Sequence, residues 1–412
     1  MNCRHCHTPL EHVFLDLGFA PPSNAYLGQE DLDKPELHFP LKVYVCDHCW
    51  LVQTIDYAQA DELFRPDYAY FSSTSSTWLK HAEAFTDMIC DRLSLGHESM
   101  VVEVASNDGY LLKNFVARNI PCLGIEPASA TARAAEALGV PVVKEFFGEQ
   151  LAGDLVAQGR SADLIVANNV YAHVPDINDF TLGMKTLLKP GGTITVEIQH
   201  VQRLMERAQF DTIYHEHFSY HSLSSITNIF QRHGLRVFDV QELTTHGGSL
   251  RVYGCHEHDP RQAEPAVQKV MDGERQGGLH DVKTYRDFQA KADRIKDDLL
   301  LFLIEQKRLG KRVVGYGAAA KGNTLLNYAG VRPDLLPFVC DAAPSKQGKF
   351  LPGSHLPIVA PAAIRESRPD ILLILPWNIA GEIMKQHTYI GEWGGRFAVA
   401  VPTLDIIGLE RD

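Results

Sequence analysis

The chain has 412 residues, 45% of them apolar and 22% charged, the balance of a soluble globular protein too long for a single core, since one core stops growing near ~250–300 residues. A formal net charge of −12 argues against a nucleic-acid polyanion as the main partner, although a local basic cleft can still hold a phosphate. No apolar run approaches the ~20 residues of a membrane span, and the start "MNCRHCH" lacks an apolar signal region. The expected location is cytoplasmic, so the eight cysteines read as thiols or metal ligands before disulfides.

Cys3 and Cys6 form one C-x2-C knuckle and Cys46 and Cys49 a second. Each points two thiolates at one ion, and two knuckles complete the tetrahedral shell that Zn2+ takes at structural sites. His5, His7 and His48 stand beside the knuckles, but a full set of four thiolates needs none of them. A closed shell leaves no open position, so this zinc serves folding rather than catalysis. "LGFAPPSNAYL" reads as a loop and "HFPLKVYVC" as an alternating strand delivering the second knuckle.

From about residue 100 strands and helices alternate, the pattern of a parallel sheet. "VEVASNDG" ends the first strand in small residues, with Gly109 opening a helix, and Glu126 ends the second strand at the offset of a ribose-binding carboxylate. "ADLIVANNVYAHVPD" reads as the fourth strand, "LLKPGGTITVEIQH" as a turn and fifth strand, and "LRVFDVQEL" with "GSLRVYGC" as a terminal hairpin. A parallel sheet closed by an antiparallel pair, with "VEVASNDG", "GIEP" and "KPGG" in place, resembles the class I S-adenosylmethionine-dependent methyltransferases. That resemblance implies Glu103, Ala105, Asn107 and Gly109 around methionine and ribose, Glu126 on the ribose hydroxyls, Phe146 and Phe147 near adenine, and Asn168 facing the cofactor.

"IYHEHFSYHS" packs two tyrosines, three histidines and a glutamate between the fifth strand and a helix that Ser222 caps and Gly234 ends. This puts it at the carboxyl edge of the sheet, where open α/β folds bind ligands. Acid–base catalysis, a metal site and a solvated polar loop are its three readings; the metal reading lacks the i, i+4 spacing of a helical two-histidine site. Beyond it, one charged helical segment around "TYRDFQAKADRIKDDLLLFLIEQKRLG" leads into "KRVVGYGAAAKGN", "LLPFVCDAAP" and "PDILLILPWN", a second Rossmann-like unit. Lys321 and Asn323 lie in the first turn of its helix, whose N-terminus favours an anion.

The order of four-cysteine module, "SNDG" core, "YHEHFSY" segment and "GYGAAAKGN" unit is similar, over nearly the whole chain, to the C-methyltransferases of deoxysugar biosynthesis. Members act on nucleotide-linked 4-keto-6-deoxysugars, typically thymidine diphosphate sugars methylated at C3. Carried over by motif, His217 is the general base, Tyr214 and Glu216 its neighbours around the sugar, His173 a second active-site histidine, and Tyr68 and Tyr70 lid residues. The resemblance also implies that the carboxyl-terminal unit cradles the substrate's diphosphate, with Asp341 as a nucleoside contact. The expected architecture is α/β in three parts: a zinc module at 1–70, a methyltransferase core at 71–258 and a Rossmann-like domain at 259–412. A sugar O- or N-methyltransferase and a non-catalytic zinc-ribbon binding module are the alternatives, and the absence of a basic stripe counts against the second.

Overall fold

The computed structural model describes residues 1–55 and 71–408, so Tyr68 and Tyr70 lie outside the described residues. Three β-strands open the chain, β1 (His12–Ala20), β2 (Phe39–Val45) and β3 (Val52–Thr54). Alternation in "FPLKVYV" buries Leu41, Val43 and Val45 on one face, as a half-covered antiparallel strand requires. β1 runs on through "LGFA", which the sequence reads as loop; its side chains find an apolar partner in Phe288, stacked on Phe14 at 4.9 Å.

The second sheet contains β4 (Val101–Val104), β5 (Cys122–Ile125), β6 (Val142–Val143), β7 (Ala162–Asn168) and β8 (Leu188–Gln199). Before it is completed, β9 (Ser219–Tyr220) leaves to pair with β3, making the first sheet β1-β2-β3-β9. The hairpin β10 (Leu235–Leu243) and β11 (Ser249–His256) then adds antiparallel to β8, giving the order β10-β11-β8-β7-β4-β5-β6. The core strands are buried on both faces and mostly apolar, as parallel strands covered by helices on either side are. "YAHVPD" is not part of β7: the strand ends at Asn168 and Tyr171–His173 form a single 3-10 turn.

The charged helical segment is two helices, Val282–Arg286 and Gln289–Arg308, because Phe288 turns inward between them. The third sheet holds β12 (Val313–Tyr316), β13 (Val339–Cys340), β14 (Ile358–Val359), β15 (Ile371–Ile374), β16 (Arg396–Val399) and β17 (Asp405–Ile407), in the order β14-β13-β12-β15-β16-β17. All but β17 run parallel. One apolar core passes from Phe14 and Val43 through Phe210 and Leu303 to Leu326 and Leu373, joining the first and third sheets. Among the described residues no helix is long and apolar enough to cross a membrane.

Candidate active site

Both knuckles fold alike. His7 and Trp50, each the residue after a knuckle's second cysteine, take left-handed conformations, and their N–H groups return to Cys3 O and Cys46 O. The four Sγ atoms lie within 4.8 Å of one another, with Cys3–Cys49 and Cys6–Cys46 at 3.5 Å. A tetrahedral zinc with Zn–S bonds of ~2.3 Å needs sulfur separations of ~3.8 Å, so a modest spread of this cluster fits the ion. His5 is not among the clustered ligand atoms, and its Nδ1 lies 2.8 Å from Asn178 Oδ1.

The module is fastened to the loop that carries His217. Arg4, inside the first knuckle, donates to Pro175 O at 2.7 Å and Thr54 O at 2.9 Å. Thr54 N–H in turn donates to Phe218 O, its hydroxyl donates to His217 O at 3.2 Å, and Phe218 N–H donates to Ala172 O. "YHEHFSY" is therefore pinned from two sides, by β3 of the zinc module and by the turn after β7.

A cavity of about 930 Å³ opens here, at the upper end of the ~300–1,000 Å³ range of small-molecule sites. One wall comes from the loop after β4, where Ala105 and Asn107 hold φ of 57° and 50°. Backbone strain of this kind gathers at ligand sites. Glu126 closes that loop by accepting from Asn107 N–H and Ala128 N–H, both at 2.9 Å, while burial raises its carboxyl above the ordinary value. Phe146, Phe147 and Asn168 share this wall; Phe146 is half exposed, and Asn168 Oδ1, buried, has no partner among the described residues. Two expected residues stand behind it: Glu103 is fully buried with its carboxyl raised by desolvation, and Gly109, with φ of 77°, sits in a turn whose helix starts only at Leu112. A Cβ on Gly109 would come 3.0 Å from Ala135 Cβ, so it permits close packing rather than a ligand contact.

The facing wall is aromatic and basic. His217 packs between Tyr214, ring centroids 4.0 Å apart, and His173 at 4.6 Å. His217 Nδ1 is 2.9 Å from Thr212 O and His173 Nδ1 is 2.7 Å from Glu216 O. A carbonyl only accepts, so each neutral ring carries its proton on Nδ1 and keeps a lone pair on Nε2. Burial pushes both imidazoles down, His217 well below its ordinary value and His173 to about 4. Glu216 lies off the wall, its carboxylate accepting both bonds from Asn24 Nδ2 at 2.8 and 2.9 Å.

The third wall belongs to the carboxyl-terminal unit, where Ala319, Ala320 and Lys321 reach the cavity. Asn323 and Asp341 do not: Asn323 is buried inside its helix, and Asp341 accepts from Ala318 N–H and Ala343 N–H. Asp341 thus closes the turn after β12 as Glu126 closes the one after β4. Trp78, His246 and Lys346 also line the cavity and escaped the sequence reading, Trp78 and Lys346 because each comes singly from a segment without a motif. "HGG" between β10 and β11 was the one signal that could have found His246.

Strand order, cofactor-sized cavity and cysteine cluster define an S-adenosylmethionine-dependent methyltransferase with a zinc module. Family models agree: residues 3–64 match a "Putative zinc binding domain", 78–240 a "Methyltransferase domain" and 244–402 a "C-methyltransferase C-terminal domain". Over 409 residues the chain is 35% identical to the C-methyltransferase NovU of Streptomyces niveus, covering 99% of this chain and 97% of that one. The protein belongs to this C-methyltransferase family. Solved structures with partial likeness include magnesium protoporphyrin IX methyltransferase from Synechocystis (12% identity, TM-score 0.35, 49% of this chain and 99% of that one). Another is an S-adenosylmethionine-dependent methyltransferase from Clostridium acetobutylicum (13% identity, TM-score 0.34, 47% and 94%).

Proposed function

We propose that the protein methylates C3 of a nucleotide-linked 4-keto-6-deoxysugar, with thymidine diphosphate as the carrier, by base-catalysed enolate formation. The observation that carries this reading is the 2.9 Å contact of His217 Nδ1 with Thr212 O, which assigns the ring proton to Nδ1 and leaves Nε2 as the base of a residue lining the cavity that Ala105 and Asn107 also line. A carbon nucleophile has to be made by removing a proton, and a ketone next to the C–H bond makes that proton acidic. His217 Nε2 takes the proton, while Tyr214 and His173 shape the sugar site and Glu216 holds Asn24 against it.

Ala105, Asn107, Glu126 and Asn168 would hold S-adenosylmethionine, which would supply an electrophilic methyl group for the enolate carbon, its S–C bond pair staying on sulfur. Three units divide the labour: 1–70 braces the base loop, 71–258 binds the methyl donor and 259–412 walls the nucleotide side. The charge of −12 and cysteines used as metal ligands support a cytosolic enzyme for a small substrate. The test uses S-adenosylmethionine carrying a carbon-13 methyl group and a panel of 4-keto sugar nucleotides. A product whose labelled methyl is bonded to C3 is expected; a methyl on oxygen or nitrogen overturns the reading.

A further inference from the structure

The turn after β12, at Gly317–Ala319, is already filled by protein groups. Asp341 Oδ2 takes Ala318 N–H at 2.7 Å, Gly317 O takes Ala319 N–H at 2.9 Å, and Tyr26 Oη and Lys346 Nζ both donate to Ala318 O. Gly317 is packed so closely that a Cβ there would lie 2.4 Å from Pro376 Cδ. A carboxylate on the N–H group that would meet a phosphate opposes an anion at this spot.

Lys321 turns away from the turn. Its Nζ stands 4.7 Å from the centroid of the Trp377 ring and 3.0 Å from Asn378 Oδ1. The Trp377 indole N–H donates to Asp211 Oδ2 at 2.7 Å, and Asp211 is wholly buried, its Oδ1 without a partner among the described residues. The next residue, Thr212, is the one whose carbonyl fixes the His217 ring. One short stretch thus ties the base on one side and, through the indole, the ammonium on the other. Lys321, Thr212 and His217 line the same cavity, and the lysine's charge is felt at His217 and His246. Desolvation brings the ammonium down to about 8 while Asp211 opposes the fall, which leaves it charged at neutral pH.

We propose that Lys321 is a catalytic residue that donates a hydrogen bond to the substrate's ketone oxygen as it becomes an enolate oxygen, rather than a diphosphate ligand, an inference that rests on the C-methylation reading above. As the C3–H bond breaks, the proton passes to His217 Nε2. The C–H electron pair becomes the C3–C4 double bond, and the carbonyl π pair moves onto oxygen, where the ammonium meets it without giving up its own proton. A preorganised donor at a developing oxyanion is worth ~10²–10³-fold in rate.

The test compares wild type, Lys321→Met and Lys321→Arg by single-turnover methyl transfer to a 4-keto sugar nucleotide, with and without deuterium at C3, and by calorimetric binding of thymidine diphosphate alone. Lys321→Met should slow transfer roughly 10²–10³-fold and raise the C3 isotope effect. Affinity for thymidine diphosphate should not change, and Lys321→Arg should keep part of the rate. A Met variant that transfers methyl at the wild-type rate from a saturated complex, yet binds thymidine diphosphate roughly tenfold more weakly, makes Lys321 a diphosphate ligand and overturns the proposal. Should Lys321→Met fail to fold, Lys321→Gln serves with the same two outcomes. If wild type itself moves no methyl to carbon, it is the functional reading that falls.

Discussion

His217 and Lys321 carry opposite requirements into one cavity, since a base works when neutral and an oxyanion donor when charged. Burial, the largest effect on His217, holds it well below its ordinary value of 6.5. Methyl transfer should therefore persist as pH falls through 6.5 and decline only below it. On the alkaline side Lys321, faced by Asp211, His217 and His246, loses its charge near 8, so the rate should fall above that value. Single-turnover rates across pH check both limbs; an acid limb at 6.5 or higher contradicts the buried base. Glu126 makes a second residue-scale case. Its two oxygens accept the backbone N–H groups of Asn107 in the loop after β4 and of Ala128 in the turn after β5, so Glu126→Gln sets an amide N–H2 against one of them. Loss of a charged acceptor, worth ~1.5–3 kcal/mol, should weaken S-adenosylmethionine by at least tenfold in calorimetry; unchanged affinity refutes the role. The four cysteines were legible because a tetrahedral ion fixes their spacing, and the place of Glu126 at the cavity because it follows directly on a strand of a parallel sheet. Trp78 and Lys346 were not, because the fold alone brings a lone residue to a cavity.

At the scale of elements, β9 is the piece the sequence concealed. Two residues inside an aromatic, histidine-rich segment show no period, yet they complete the zinc module's sheet by pairing Val52 with Tyr220 and Gln53 with Ser219. The helix after it was readable, since Ser222 caps it with Ser225 completing a capping box and Gly234 follows in the left-handed conformation. Because β3 comes straight from the second knuckle, the zinc site and the loop that carries His217 share one support. Metal analysis should find one zinc per chain. Cys46→Ser should lower the melting temperature and speed hydrogen exchange in residues 213–221 above the rest of the core. Zinc-free protein as isolated, or unchanged exchange in that loop, contradicts this coupling.

Across the whole molecule, two mainly parallel sheets meet at corresponding points. In the second sheet β4 lies between β7 and β5, and in the third β12 lies between β15 and β13, so both reverse strand order beside their first strand. Open α/β sheets bind ligands at this switch point. Here both points, Ala105–Asn107 and Ala319–Lys321, line one cavity, while a core shared by the first and third sheets holds the units around it. The alternation of strand and helix announced both units; their mutual placement depended on a fit such as Gly247 against Trp377, which no local pattern encodes. A Cβ on Gly247 would lie 2.6 Å from Trp377 Cη2, at a φ of 83°. Gly247→Ala should cost about 1–3 kcal/mol of stability and slow turnover, read by thermal melting and kinetics; a neutral variant refutes the tight junction. The central claim is that His217 makes a carbanion from the sugar before the methyl group moves. Its direct test is to incubate a 4-keto sugar nucleotide in heavy water with S-adenosylhomocysteine and either wild type or His217→Asn. The account predicts deuterium at C3 with wild type and a loss of exchange, roughly 10²–10⁴-fold, with the variant; equal exchange by both proteins contradicts it.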